Sequence, residues 1–113
     1  MSDILKQIDD VLEARKSDSP DSSYVASLYD KGIEKILKKV AEESAETVMA
    51  AKDLEHSNGA KKDQEHLVYE IADLWFHTMV LLASQNLSSN DVTTELQRRF
   101  GLSGHDEKAS RSE

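Results

Sequence analysis

Apolar residues recur at intervals of three and four along most of the chain, the signature of amphipathic helices. Ile4, Leu5, Ile8, Val11 and Leu12 predict a first helix over 2–16. The polar stretch 17–23, which holds the only proline, Pro20, reads as a loop. Ser23 can cap a short helix through Tyr24, Val25, Leu28 and Tyr29 that ends near Gly32. Ile33, Ile36, Leu37, Val40, Ser44, Val48 and Ala51 form the stripe of a long helix over 33–56. Asn58-Gly59 supplies a turn, and a second long helix follows over 61–87. So short a connection packs the two long helices antiparallel. Ser88 or Ser89 caps a last helix carrying Val92, Leu96 and Phe100, with Gly101 as its stop. The expected fold is an all-α bundle of four to five helices around two long antiparallel ones. Residues 1–101 form its single domain, and 102–113 a polar tail that is mobile on composition alone.

The second long helix departs from ordinary amphipathicity. At 100° per residue, Glu70 and His77 fall about 60° and about 40° from Asp73, making one narrow polar stripe. Leu67, Val68, Tyr69, Ile71, Leu74, Trp75, Phe76, Met79 and Leu82 occupy nearly all the rest. A helix apolar on every side is buried on every side. Trp75 and Phe76 are therefore expected in the core rather than as a surface for stacking bases. One small chain cannot easily cover such a circumference, so a homodimer or larger assembly is expected, with this helix near the interface.

That burial makes the carboxylates informative. On the first long helix Glu43 borders the apolar stripe, and Glu46 and Glu42 lie further out. Antiparallel packing can bring Glu43 and Glu46 opposite Glu70 and Asp73. Four ionised carboxylates in little water are costly through desolvation and mutual repulsion. A divalent cation relieves both, and an all-oxygen ligand set suits Mg²⁺, with Mn²⁺ as the alternative. Taken alone, Glu42-Glu43-x-x-Glu46 is a common solvated helix face, and Glu70-x-x-Asp73 could be paired with Lys39 or Arg98. Their matched positions on neighbouring helices favour the metal. His77 reads as a satisfied core histidine, while His56, His66 and His105 look exposed and carry no site argument.

Composition narrows the ligand. The 113 residues carry a formal net charge of −8, which opposes nucleic-acid binding through phosphates. A phosphorylated small molecule is still compatible when a cation lies between carboxylate and phosphate. There is no cysteine, hence no disulfide framework and no thiolate metal site. The N-terminus lacks a signal-peptide pattern and no apolar run looks long enough to span a membrane, so the expected location is cytoplasmic.

Glu42-Glu43-x-x-Glu46, then twenty-three residues, then Glu70-x-x-Asp73, resembles the signature of the all-α nucleoside triphosphate pyrophosphatases, the MazG-like superfamily. The flanking words are narrower. Ser23-Tyr24-Val25, Gly32-Ile33, Lys35-Ile36, Lys38-Lys39-Val40, Ala50-Ala51-Lys52, Ala72-Asp73-Leu74, His77 and Val80-Leu81-Leu82 are similar to the phosphoribosyl-ATP pyrophosphohydrolase branch. So is the ending Arg99-Phe100-Gly101-Leu102-Ser103-Gly104, with Arg111 beyond it. Ala41 stands where that family usually has glycine, and Ser44-Ala45 where Ala-Thr is frequent; neither change touches a candidate ligand.

The resemblance implies Mg²⁺-dependent hydrolysis of phosphoribosyl-ATP to phosphoribosyl-AMP and pyrophosphate in histidine biosynthesis. It also implies a site shared between subunits. Glu43, Glu46, Glu70 and Asp73 would hold the metal, and Glu42 would act as a base or orient the attacking water. Lys39, one turn before Glu43, would reach a phosphate; Lys35, Lys38, Lys52, Arg98 and Arg99 are further candidates. Arg111 and its neighbours would order over substrate. Some members are fused to a zinc-dependent cyclohydrolase; the short, cysteine-free chain is expected to be the stand-alone form. Two rival functions are a pyrophosphatase acting on other nucleoside triphosphates and a non-catalytic helical module whose acids meet a basic partner.

Overall fold

The computed structural model describes residues 3–101. The polar tail, with His105 and Arg111, lies outside the described residues. Within them the chain is all-α: α1 (Ile4–Ala14), a single 3-10 turn (Arg15–Ser17), α2 (Tyr24–Lys31), α3 (Ile33–His56), α4 (Lys61–Ser84) and α5 (Ser89–Phe100).

Local chemistry sets each boundary. Asp3 caps α1 by accepting the Lys6 N–H at 3.2 Å. Ser23 caps α2 by accepting that of Ala26 at 3.1 Å. Gly32 has φ +96°, a conformation that costs a side-chain-bearing residue dearly, and it separates α2 from α3 within one residue. Asn58 (φ 57°) and Gly59 (φ 89°) make the tight reversal between the long helices. α4 stops three residues short of the predicted end, where Asn86 turns left-handed at φ 60°. Ser88 and Asp91 form a reciprocal capping box at the start of α5.

The antiparallel register of α3 and α4 is read from its contacts. Thr47 Oγ1 donates to the Glu43 carbonyl at 2.8 Å and lies 3.4 Å from that of Glu70. The core gathers Leu12, Val25, Leu28, Ile36, Met79, Val80 and Ala83, with Leu5, Ile8, Tyr29, Phe76 and Leu81 packed against them. Burying each of the largest contributes about 2 kcal/mol. Tyr29 donates its hydroxyl to the Leu12 carbonyl at 2.9 Å, tying α2 to α1. Asp9 accepts both the backbone N–H (3.0 Å) and the hydroxyl (2.6 Å) of Ser89, tying α1 to α5.

One expectation about α4 is corrected. It is not buried on every side: Val68 is 68 % exposed, Tyr69 61 % and Trp75 59 %, so Trp75 is not a core residue, whereas Phe76 is partly buried against the core. α1 and α3 pack on α4, and one chain has too few helices to enclose all of its surface. By length and composition alone α4 would also pass as a membrane-crossing helix, at a mean hydropathy of 1.2, a test that the core helix of a soluble protein passes too.

Candidate active site

The carboxylates converge as the helical phases require. Oxygens of Glu43, Glu46 and Glu70 lie within 4.8 Å of one another, and Glu43, Asp73 and a nitrogen of His77 form a second such group. Glu43 belongs to both and is the most enclosed acid, 3 % exposed. Its Oε1 is buried with no hydrogen-bond partner. Burial first, then the charges of Asp73 and Glu46 and a hydrogen bond with Asp73, push its carboxyl above the ordinary range, with His77 opposing them. A cation would satisfy that unpartnered buried oxygen and relieve the like charges around it, so the residues present fit a divalent metal.

Lys39, one turn before Glu43, reaches the Glu42 carboxylate at 3.2 Å and that of Glu43 at 3.5 Å. Burial works against its charge, but the hydrogen bond to Glu42 and the fields of Tyr24, Glu42 and Glu43 outweigh it and raise its pKa. One ammonium cannot balance five carboxylates. Lys35 is half-buried one turn before Lys39, while Lys38 and Lys52 are exposed. Arg98 and Arg99 both bind Glu95 on α5, at 2.8 Å and 3.0 Å, and so carry a local role.

His77 is satisfied, as expected. Its Nδ1 lies 2.8 Å from the Asp73 carbonyl and must donate there. The remaining Nε2 lone pair therefore accepts the Tyr24 hydroxyl at 2.8 Å. Both nitrogens are engaged, which argues against His77 as a metal ligand.

Sequence reasoning missed two residues. His66 Nε2 lies 2.9 Å from Glu70 Oε2, one turn away on α4; its spacing of four from Glu70 was the available signal. Tyr24 reaches the site from α2, fifty-three positions from His77, and no local pattern reveals that. Its phenol lies within electrostatic reach of Lys39, Glu43, Asp73 and Glu42; burial is the main cause that raises its pKa, and Lys39 opposes it.

By fold and site this is an all-α protein with an acidic seam between two antiparallel helices, bordered by one lysine and one tyrosine. The model of the phosphoribosyl-ATP pyrophosphohydrolase family matches residues 5–100, and the chain belongs to that family. It is 64 % identical over 111 residues to the phosphoribosyl-ATP pyrophosphatase of Hydrogenovibrio crunogenus, covering 98 % of this chain and 95 % of that one. It is 62 % identical over 109 residues to the protein of the same name from Chromobacterium violaceum, covering 96 % and 94 %.

Proposed function

We propose that this chain hydrolyses phosphoribosyl-ATP to phosphoribosyl-AMP and pyrophosphate, the step its relatives' names describe, in histidine biosynthesis. The observation that carries the reading is Glu43: buried, flanked by Glu46, Glu70 and Asp73, and holding an oxygen with no partner. Those four carboxylates would hold Mg²⁺, or Mn²⁺ in its place. The bound cation would draw charge from the phosphate oxygens and ease departure of pyrophosphate.

The protein's own groups do the remainder. Lys39, already partly desolvated, offers its ammonium to a phosphate oxygen at the rim. Glu42, half-exposed and held at 3.2 Å by Lys39, orients water for attack and accepts its proton. His66 holds Glu70 in place from one turn away. Lys35 extends the cationic line along α3, and Lys38 and Lys52 lie further out. The Glu95 pairing of Arg98 and Arg99 disfavours them as phosphate ligands.

The substrate is a small nucleotide rather than a nucleic acid, since the net charge is −8. The uncovered faces of α4, with Val68 and Trp75, are those that a second copy would cover, and the assembly works in the cytoplasm without a membrane. A groove of about 260 Å³ between α1, α4 and α5, lined by Trp75, Met79 and Leu96, continues that apolar surface. Residues 1–101 serve as the single catalytic domain.

The test is pyrophosphate release from phosphoribosyl-ATP with and without Mg²⁺, beside deoxynucleoside triphosphates. Release that needs the cation and favours phosphoribosyl-ATP supports the reading, and no release overturns it. Light scattering that returns a single-chain mass would overturn the assembly.

A further inference from the structure

Tyrosines usually bury the ring and leave the hydroxyl in water, because the ring is apolar and the tip is not. Tyr29 on α2 lies half-buried with its ring against the core and its hydroxyl on a backbone carbonyl. Tyr24, five residues earlier on the same helix, is more exposed and is held differently. Its hydroxyl is pinned 2.8 Å from Nε2 of His77, which is only 4 % exposed, while the residue itself is 52 % exposed. The imidazole that holds it is locked in turn by the Asp73 carbonyl and meets the phenol ring edge-on, at 5.9 Å and 81°. Phe76 also meets that imidazole edge-on, at 5.3 Å and 85°.

The result is a half-exposed tyrosine held by its hydroxyl and set within electrostatic reach of Glu43 and Asp73. Anchoring removes rotamer freedom in advance, which favours ligand binding. A purine lies one ribose from the phosphate that Lys39 and the carboxylates would engage. We propose that Tyr24 is the stacking platform for the purine ring of the nucleotide, oriented by the Asp73–His77–Tyr24 hydrogen-bond chain. This rests on the nucleotide reading above and adds which residue recognises the base. Stacking tolerates any flat ring, so the platform supplies affinity for the base-bearing fragment and none for pyrophosphate.

The test compares Tyr24→Leu, which removes the ring, with Tyr24→Phe, which removes only the hydroxyl. Tyr24→Leu should raise KM for phosphoribosyl-ATP by roughly tenfold or more and weaken inhibition by AMP equally. Inhibition by pyrophosphate should stay within about twofold of wild type, since it carries no base. Tyr24→Phe should lie much nearer wild type than Tyr24→Leu. Equal damage from both variants, an equal loss of pyrophosphate affinity, or an unchanged KM in Tyr24→Leu would each overturn the platform. A wild-type measurement covers the case in which Tyr24→Leu does not fold: with tyrosine ring carbons labelled and Tyr24 assigned through the Phe variant, AMP plus Mg²⁺ should shift the Tyr24 resonances upfield. No shift overturns the proposal. If wild type releases no pyrophosphate from phosphoribosyl-ATP, the reaction is wrong, and the AMP-dependent shift still decides the platform separately.

Discussion

Glu43 and Glu95 are the same residue type in opposite circumstances. Glu95 sits on α5 with Arg98 and Arg99 on one carboxylate, and those two hydrogen bonds lower its pKa to about 2. Glu43 lies in the α3–α4 seam, enclosed, beside more acids than cations, with its carboxyl pushed up. The α5 cluster is neutralised by its own chain. The α3–α4 seam is not, and this imbalance is what a cation and a phosphorylated ligand can exploit. The largest expected consequence follows: Glu43→Gln or Asp73→Asn should lower turnover by at least about 100-fold while circular dichroism stays helical. Glu95→Gln should leave turnover within about twofold. Equal losses at the two positions would erase the distinction.

A second difference lies in pH and metal. Burial raises the Glu43 carboxyl, so the folded chain binds its proton more tightly than the unfolded chain does. In metal-free protein the Glu43 contribution should be fully present below the ordinary carboxyl pKa and lost as pH rises through the raised one. Glu95 has the opposite sign: its contribution is present above about pH 4.5 and lost as pH falls toward about 2. Mg²⁺ at neutral pH should raise the melting temperature by on the order of 10 °C when it is a hundredfold above its Kd. Glu43→Gln should remove most of that gain, and Glu95→Gln none of it. Thermal melts across pH in chelator and in Mg²⁺ measure both.

What was legible in the sequence and what was not is a matter of range. The α3–α4 seam could be read because helical phase is a local property. Asn58-Gly59 forces the reversal, and the phases of Glu43, Glu46, Glu70 and Asp73 then dictate their meeting. The ends of α3 and the start of α4 came from the same local signals, whereas the end of α4 was overrun because Gln85 and Asn86 do not announce a left-handed turn. Arg98 and Arg99 meet Glu95 at spacings of three and four, a local pairing that is itself legible on one helix. Tyr24 was invisible for a different reason: it joins His77 across fifty-three residues, and only packing places α2 beside α4. Trp75 failed on counting, since hydrophobicity says that a face should be covered but not by which chain.

Lys39 gives an intermediate effect. It is the cation nearest the acids, and its contacts at 3.2 Å and 3.5 Å hold Glu42 and Glu43 on the same helix. If the seam awaits a phosphate as well as a metal, Lys39→Gln should raise KM by roughly tenfold, the worth of one charged hydrogen bond, with a smaller change in kcat. A fall in kcat at unchanged KM would mean that Lys39 only holds Glu42 in place.

The smallest effect is expected at Arg98 and Arg99. Both side chains are more than half exposed, and both are occupied by Glu95. Exposed pairs of this kind contribute little to stability and are screened by salt. Arg99→Ala should therefore keep kcat/KM within about twofold of wild type. The Glu95 carboxyl, followed by NMR, should titrate closer to the ordinary value in this variant, because one of its two lowering hydrogen bonds is gone. A tenfold loss of kcat/KM in Arg99→Ala would show that α5 belongs to the substrate site and that its self-neutralised cluster opens when the nucleotide arrives.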